Sequence, residues 1–397
     1  MSVKPAAVIC ELNPMHTGHK HLIDNMRASK VTHIAGIMSG NFVQRGDCAV
    51  LNKLRRAECA VKNGIDLVVE LPVISVLSSA EGFAEGGVEL AGRLRCSELW
   101  FGSECNDIDT LRKLIEIQSN EKIKKLVSDS IKSGVSSARA LGNAVSYLYG
   151  KDLSDILISP NNILGIEYIK AISRLKSSII PKTVKRTGAA HDSGVISDNC
   201  ASSSYIRNAV MQNKLSDCEK LLDRYTYRVM YEETEKGYAP AAVTNGERAV
   251  IAVLRQLSIN DYAELSDVTE GLENRLYEAV QKFGTLEEII TYTKSKRYTH
   301  ARIRRIIMCA YLGITNEIKS MKPKYIRVLA FNDRGAEMLR AISKTTPLVT
   351  SPAKALREFS GDSRRLLDLE LKASRLWGLM TPSVYPADGD MRNFVRK

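Results

Sequence analysis

The chain has 397 residues, 44% hydrophobic and 26% charged, with 8 cysteines and 6 histidines. That length asks for two or three domains, and the composition is that of an ordinary soluble globular protein. No apolar run approaches the ~18 residues a membrane span needs. The start "MSVKPAAVIC" lacks a signal-peptide cleavage pattern, so a cytoplasmic location without a membrane partner is expected. The cysteines are scattered with no Cys-x-x-Cys pair, which argues against a zinc or redox centre and for free thiols in a reducing compartment. A net charge of +12 and a pI of 9.2 point to a polyanionic partner. The excess is +6 in residues 1–215 and +6 in 216–397, so nucleic acid, if bound, should touch both halves.

In chain order, "AAVICEL", "THIAGIM", "DLVVEL", "ELWFGS" and "IIPKTVK" are short, continuous apolar runs bounded by polar residues or glycine. They predict buried parallel strands. Between them, Thr17–Ser29, Asn52–Asn63 and Val76–Leu94 have helical apolar spacing, and residues 107–149 read as a wholly helical insertion packed on the sheet. Alternating strands and helices predict an open parallel α/β sheet over residues 1–215. Residues 216–397 predict helices at 216–236, 246–258, 272–283 and 285–313. A small strand–helix–strand appendix near 325–351 follows, then a loosely held tail from Tyr385.

The stretch "ELNPMHTGHKHLI" places His16, His19 and His21 on one turn after the first strand. A helix starting near Thr17 would aim its N-terminus, with unpaired N–H groups and a partial positive charge, at the carboxyl edge of the sheet. Gly18 would let a ligand approach the backbone. His16 and His19 can donate to phosphoryl oxygens as charge builds on a pentacovalent α-phosphate. The plainer reading is a polar helix cap with His21 exposed.

This His-x-Gly-His turn resembles the signature of the nucleotidylyltransferase superfamily, which joins a nucleotide's α-phosphate to an acceptor and releases pyrophosphate. In "ASSSYIRNAV", the run Ser202-Ser203-Ser204-Tyr205-Ile206-Arg207 resembles the superfamily's second motif, Ile-Ser-Ser-Thr-x-Ile-Arg. Ala201 replaces the isoleucine and Ser204 the threonine. Hydroxyls at a helix start plus an arginine suit the β- and γ-phosphates. The runs "MSGNFVQRGDCAVLNKLRRAECAVKNGIDLVVELP", "FGSE", "SPNNILGIEYIKAI" and "KRTGAAHD" resemble the bacterial tRNA(Met) cytidine acetate ligases. That likeness covers nearly all of residues 6–210 and returns at "KRYTHARIRRIIMCAYLG".

The resemblance implies a Rossmann-like, HUP-type α/β catalytic domain followed by a mostly α-helical, tRNA-binding region. It implies that ATP activates acetate as acetyl-adenylate. The acetyl group then passes to N4 of the wobble cytidine of elongator tRNA(Met). The ATP site would map onto Ile9, Cys10, Glu11, Leu12, Asn13, Pro14, Met15, His16, Thr17, Gly18, His19, Lys20, His21 and Leu22, with Gly102, Asn161, Asn162 and Arg186. His16, His19 and Arg207 would be catalytic, with Ser202, Ser203 and Ser204 on the departing pyrophosphate. Magnesium would bridge the phosphates, although no dedicated carboxylate cage or metal-ligand set is evident. One of Asn161 and Asn162 is expected to cap a helix and the other to touch the nucleotide.

The loop "SGNFVQRGD" should overhang the same crevice, and Asn41, Gln44 and Arg45 either shape the acetate or cytidine pocket or form a polar surface loop. From Lys294 to Arg305, six basic residues (Lys294, Lys296, Arg297, Arg302, Arg304, Arg305) lie near Tyr292 and Tyr298, with no acid between Glu288 and Glu317. That pattern suits RNA phosphates and base stacking, or a solvated helix face. Competing functions are a nucleotidylyltransferase for a small phosphorylated substrate and a non-catalytic RNA-binding protein on the same scaffold. A class I aminoacyl-tRNA synthetase would need a Lys-Met-Ser-Lys-Ser-type loop where the serine motif stands.

Overall fold

A computed structural model describes residues 4–186, 202–269, 271–295, 298–391 and 394–396. Its strands are β1 (Pro5–Cys10), β2 (His33–Ser39), β3 (Phe42–Val43), β4 (Asp47–Cys48), β5 (Leu67–Leu71), β6 (Glu98–Ser103), β7 (Ile180–Lys185), β8 (Ile326–Phe331), β9 (Leu348–Val349) and β10 (Val395–Arg396). The main sheet runs β10-β8-β5-β2-β1-β6-β7, with β9 also on β8, and a separate hairpin joins β3 to β4. Every pairing in the sheet is parallel except β5–β8. Strands β2, β5 and β8 are buried along their whole length, as continuous apolar runs between two helical layers require. At the edge, β7 alternates exposed and covered residues instead.

Side chains alternate between the two faces with period two. Ala7, Ile9, Ala35, Ile37, Leu67 and Val69 meet helices Ala80–Arg93 and Pro160–Arg174 on one face. Ala6, Val8, Cys10, Ile34, Met38 and Val68 meet helices Thr17–Ala28 and Lys53–Lys62 on the other. The sheet grows outward from β1 in both directions, toward β2 and toward β6. The chain therefore opens a crevice at the carboxyl ends of these two strands, where such sheets bind ligands.

Several expectations need correction. The 325–351 segment is no appendix: β8 pairs antiparallel with β5 and enlarges the main sheet. The tail is held, since β10 pairs with β8 and Asp390 is 4% exposed. Asp390 Oδ2 lies 2.7 Å from Lys53 Nζ, which also binds Glu70 at 2.8 Å, and Arg327 Nη2 lies 3.4 Å from Asp390 Oδ1. This buried ion pairing was invisible along the chain because its members come from separate elements, Lys53 and Asp390 from opposite ends of the sequence. The helix expected at 285–313 is two, Leu286–Thr293 and His300–Leu312, the second capped by Thr299. The helix expected at 76–94 starts afresh at Ala80, capped by Ser79.

The second large core is helical and takes in Val250, Leu254, Ile303, Ile307, Leu367 and Trp377. Phe42 and Cys48 of the β3–β4 hairpin are buried in it as well. Gly46, at the hairpin tip, has φ +73°, and a Cβ there would overlap the Arg304–Arg305 peptide. Only glycine allows that approach and that backbone. The hairpin is thus clamped between sheet and helices, with Gln44, Arg45 and Asp47 on the crevice rim.

Candidate active site

Strand β1 ends at Cys10, and the chain turns through Leu12 (φ 47°) and a cis Asn13–Pro14 bond into helix Thr17–Ala28. His16 is the N-cap. Its Nδ1 accepts the Gly18 N–H at 3.0 Å, so the neutral ring carries its proton on Nε2, which donates to Ser203 Oγ at 2.9 Å. His19 Nδ1 accepts the His16 N–H at 3.3 Å, which leaves its proton on Nε2 too. The two ring centroids are 4.0 Å apart. Burial drives the His16 pKa well below the usual value, with His19, Arg186 and Arg207 adding to it. Burial and Arg186 lower His19 to about 3. Both imidazoles are therefore neutral N–H donors at physiological pH.

The second motif meets them directly. Ser202 caps helix Ser203–Met211, its Oγ accepting the Tyr205 N–H at 3.1 Å. Arg207 Nη1 donates to Asn13 O at 3.0 Å and its Nη2 to Ser204 Oγ at 3.0 Å. A cavity of about 410 Å³ opens over this junction. It is lined by Ile9, Cys10, Glu11, Leu12, Asn13, His16, Gly18, His19, His21 and Leu22, and by Gly102, Asn161, Arg186, Ser202, Ser203, Ser204 and Arg207. Gln44 and Arg45 reach it from the hairpin.

Other expected residues do not line it. Met15 is 1% exposed, Pro14 is buried, and Lys20 pairs with Asp24 instead. The helix N-terminus does not offer a row of open N–H groups: Thr17 N donates to Leu221 O at 3.1 Å, Gly18 N to His16 Nδ1, and His19 N to His16 O at 2.9 Å. Gly18 serves the His16 ring, which folds back over it, more than ligand approach. A Cβ there would lie 2.9 Å from His16 Cε1.

The two asparagines separate. Asn162 is 1% exposed, and its Oδ1 accepts Ser103 Oγ at 2.8 Å, Glu104 N at 3.0 Å and Cys105 N at 3.2 Å, tying down the loop after β6. Asn161 faces the cavity, donating to Glu104 Oε1 at 2.6 Å and accepting Arg186 Nη1 at 3.3 Å. Asn41 is 3% exposed and away from the lining; its Oδ1 accepts Lys53 N at 2.7 Å.

The basic stretch divides as well. Lys296 and Arg297 lie outside the described residues, as does Ala201. Lys294 is exposed. Arg302 is engaged, donating to Asp267 O at 2.7 Å and lying 4.8 Å from the Tyr298 ring centre. Tyr298 is 8% exposed with its hydroxyl on Thr269 O, so it presents no stacking face. Arg305 is half-buried, whereas Arg304 lines the cavity, 3.6 Å from Glu287. Sequence reasoning missed that role for Arg304, and it missed the apolar wall of Phe83, Phe101, Leu164 and Tyr168. Nothing in the chain distinguishes these from core residues, because only the packing of helices Ala80–Arg93 and Pro160–Arg174 against the sheet and each other gathers them.

Comparisons with known proteins agree with this geometry. The model of the HIGH Nucleotidyl Transferase family matches residues 3–391. The tRNA(Met) cytidine acetate ligase of Thermoanaerobacter pseudethanolicus is 39% identical over 349 residues, covering 86% of each chain. The ligase of the same name from Clostridium perfringens is 34% identical over 393 residues, covering 95% of each. Among solved structures, Thermotoga maritima TmcAL in its apo form superposes with a TM-score of 0.90 at 28% identity, over 99% of both chains. The same protein bound with alpha-thio ATP gives 0.88 at 27% identity, over 99% of this chain and 100% of that one. A match along nearly the whole chain, with the histidine turn and the serine motif joined at one cavity, establishes that the chain belongs to the HIGH nucleotidyl transferase family.

Proposed function

We propose that the protein is an ATP-dependent tRNA(Met) cytidine acetate ligase that makes acetyl-adenylate and passes the acetyl group to N4 of the wobble cytidine of elongator tRNA(Met). The observation that carries this reading is the 2.9 Å contact between His16 Nε2 and Ser203 Oγ, which brings both motifs to one cavity large enough for a nucleotide. The relatives' names supply the substrate class.

Acetate is already an anion, so its attack on the α-phosphorus requires no base. It requires two anions to be held together and the extra charge on phosphorus to be stabilised. His16 and His19, neutral and protonated on Nε2, donate to the α-phosphate. Arg207 and the three serines steady the departing pyrophosphate. The wall of Phe101, Leu164 and Tyr168 beside Gly102 takes the adenine. Among the described residues no group of three or more His, Cys, Asp or Glu could hold a metal. Magnesium entering with ATP would supply further charge neutralisation of the phosphates beside Arg186 and Arg207. The target cytidine enters past Arg45 and Arg304, where the helical region meets the hairpin.

Labelled acetate, ATP and total tRNA incubated with the protein test the reading. Acetate-dependent pyrophosphate release and label at one tRNA cytidine are expected. Pyrophosphate release without acetate dependence, or label on no tRNA, refutes it.

A further inference from the structure

The cavity is built for anions: Arg45, Lys185, Arg186, Arg207 and Arg304 all line it. Glu11 nevertheless puts a carboxylate there. It stands at the end of β1, between the phosphate-facing turn and the hairpin rim, and its Oε1 accepts the Gln44 N–H at 2.7 Å. Its other oxygen has no hydrogen-bond donor among the described residues. Burial raises its pKa, while the Gln44 N–H, Arg207, Arg56 and Arg45 act to keep it ionised. The other titratable groups beside it, Cys10 and Tyr168, are pushed up by burial, Cys10 to about 12, and stay neutral near pH 7. Asp47, the second carboxylate of the lining, has one oxygen turned onto Cys48 N at 2.8 Å.

A carboxylate contributes nothing to joining acetate and ATP, where no proton moves. Acetyl transfer differs, because the N4 amine of cytosine is a weak nucleophile and must lose a proton as its new bond forms. We propose that Glu11 is the general base of that second step. This rests on the ligase reading above. The N4 lone pair forms the C–N bond, the carbonyl π pair moves onto oxygen, and the N4 proton passes to the Glu11 carboxylate. Collapse of the oxyanion breaks the C–O bond to the adenylate, AMP departs with that electron pair, and Glu11 later returns its proton to solvent. One carboxylate oxygen fixed by a backbone amide leaves the other directed and available. A pKa raised by burial makes a stronger base than an ordinary carboxylate.

Glu11→Gln tests this, because its amide oxygen still accepts the Gln44 N–H but carries no base. Two rates are compared on the same preparation: acetate-dependent ATP–pyrophosphate exchange, and single-turnover transfer of labelled acetate to a tRNA(Met) transcript. The ratio of transfer to exchange is expected to fall about 100-fold in Glu11→Gln, the usual worth of a general base. Glu11→Asp should recover part of that loss. Wild-type transfer should rise with pH through one ionisation that is absent from Glu11→Gln. A structural role would lower both rates together, leave the ratio unchanged and preserve the pH slope, and that result overturns the proposal. Should Glu11→Gln fail to fold, a wild-type transfer rate that shows no ionisation overturns it equally. Absence of acetate-dependent exchange in the wild type would instead sink the ligase reading, so the two failures are distinguishable.

Discussion

Gly18→Ala perturbs the centre of the site with a single methyl group. The added Cβ would lie 2.9 Å from His16 Cε1 and 3.1 Å from His16 Nδ1. An exposed side chain would swing away, but this ring is pinned at both nitrogens, by Gly18 N at 3.0 Å and Ser203 Oγ at 2.9 Å. Relieving the clash breaks one or both bonds, each worth about 1 kcal/mol net. Alanine in place of glycine in a helix returns up to about 1 kcal/mol, so the overall stability change is small. Activity should not be spared. A displaced His16 no longer donates to the α-phosphate, and losing one such donor costs about 100- to 1000-fold in rate. Acetate-dependent ATP–pyrophosphate exchange and a denaturant melt on the same sample give the two numbers. A Gly18→Ala protein that exchanges at the wild-type rate would refute the pinned-ring argument and the assignment of His16 with it.

Asn162→Ala should destabilise the fold by about 2–4 kcal/mol in urea unfolding, because three donors lose a buried acceptor. Asn161→Ala should leave stability within about 0.5 kcal/mol, as surface changes usually do, and raise the KM for ATP. Asp390→Ala should cost about 3–5 kcal/mol, since it leaves the buried Lys53 and Arg327 short of a counter-charge, and thermal or denaturant unfolding reads the loss. His19 has a folded pKa of about 3, below the unfolded value near 6.5, so the unfolded state binds the extra proton between them. Its stabilising effect is complete above pH 6.5 and is lost as pH falls toward 3. Replacing His19 by Asn should therefore flatten the stability profile in that window by up to about 1.4 kcal/mol per pH unit. Arg45→Ala should weaken acetylation of tRNA, and unchanged transfer kinetics would remove Arg45 from the substrate pocket.

Four strands were legible because parallel strands buried on both faces must be apolar throughout, whereas the edge strand β7 departs from the buried strand expected of its run. The histidine turn and the triple serine stood out because the phosphate chemistry expected of them uses few residue types at short spacing, and the structure brings the two together at one cavity. The failures share a different cause. Reading the 325–351 segment as an appendix misses that β8 completes the sheet, since a strand pattern carries no record of its partner. Tyr298 looked available to stack on a base, but its hydroxyl is taken by Thr269 O, 29 residues away, and Arg302 lies over its ring, contacts no periodicity reveals. Asn161 and Asn162 are adjacent and chemically identical, and only the turn of their helix sends one to the cavity and the other to the loop after β6.

Local chemistry thus decided that this chain makes a parallel sheet whose first strand runs into a histidine-capped helix, because strand burial, caps and short motifs depend on neighbours within a few residues. The tertiary fold decided the protonation of that turn, the company Glu11 keeps, and the contribution of Arg304 from the far helical region. Burial and long-range contact set those properties. Residues 187 positions apart, such as His16 and Ser203, acquire a shared chemistry only when packing places them 2.9 Å from each other.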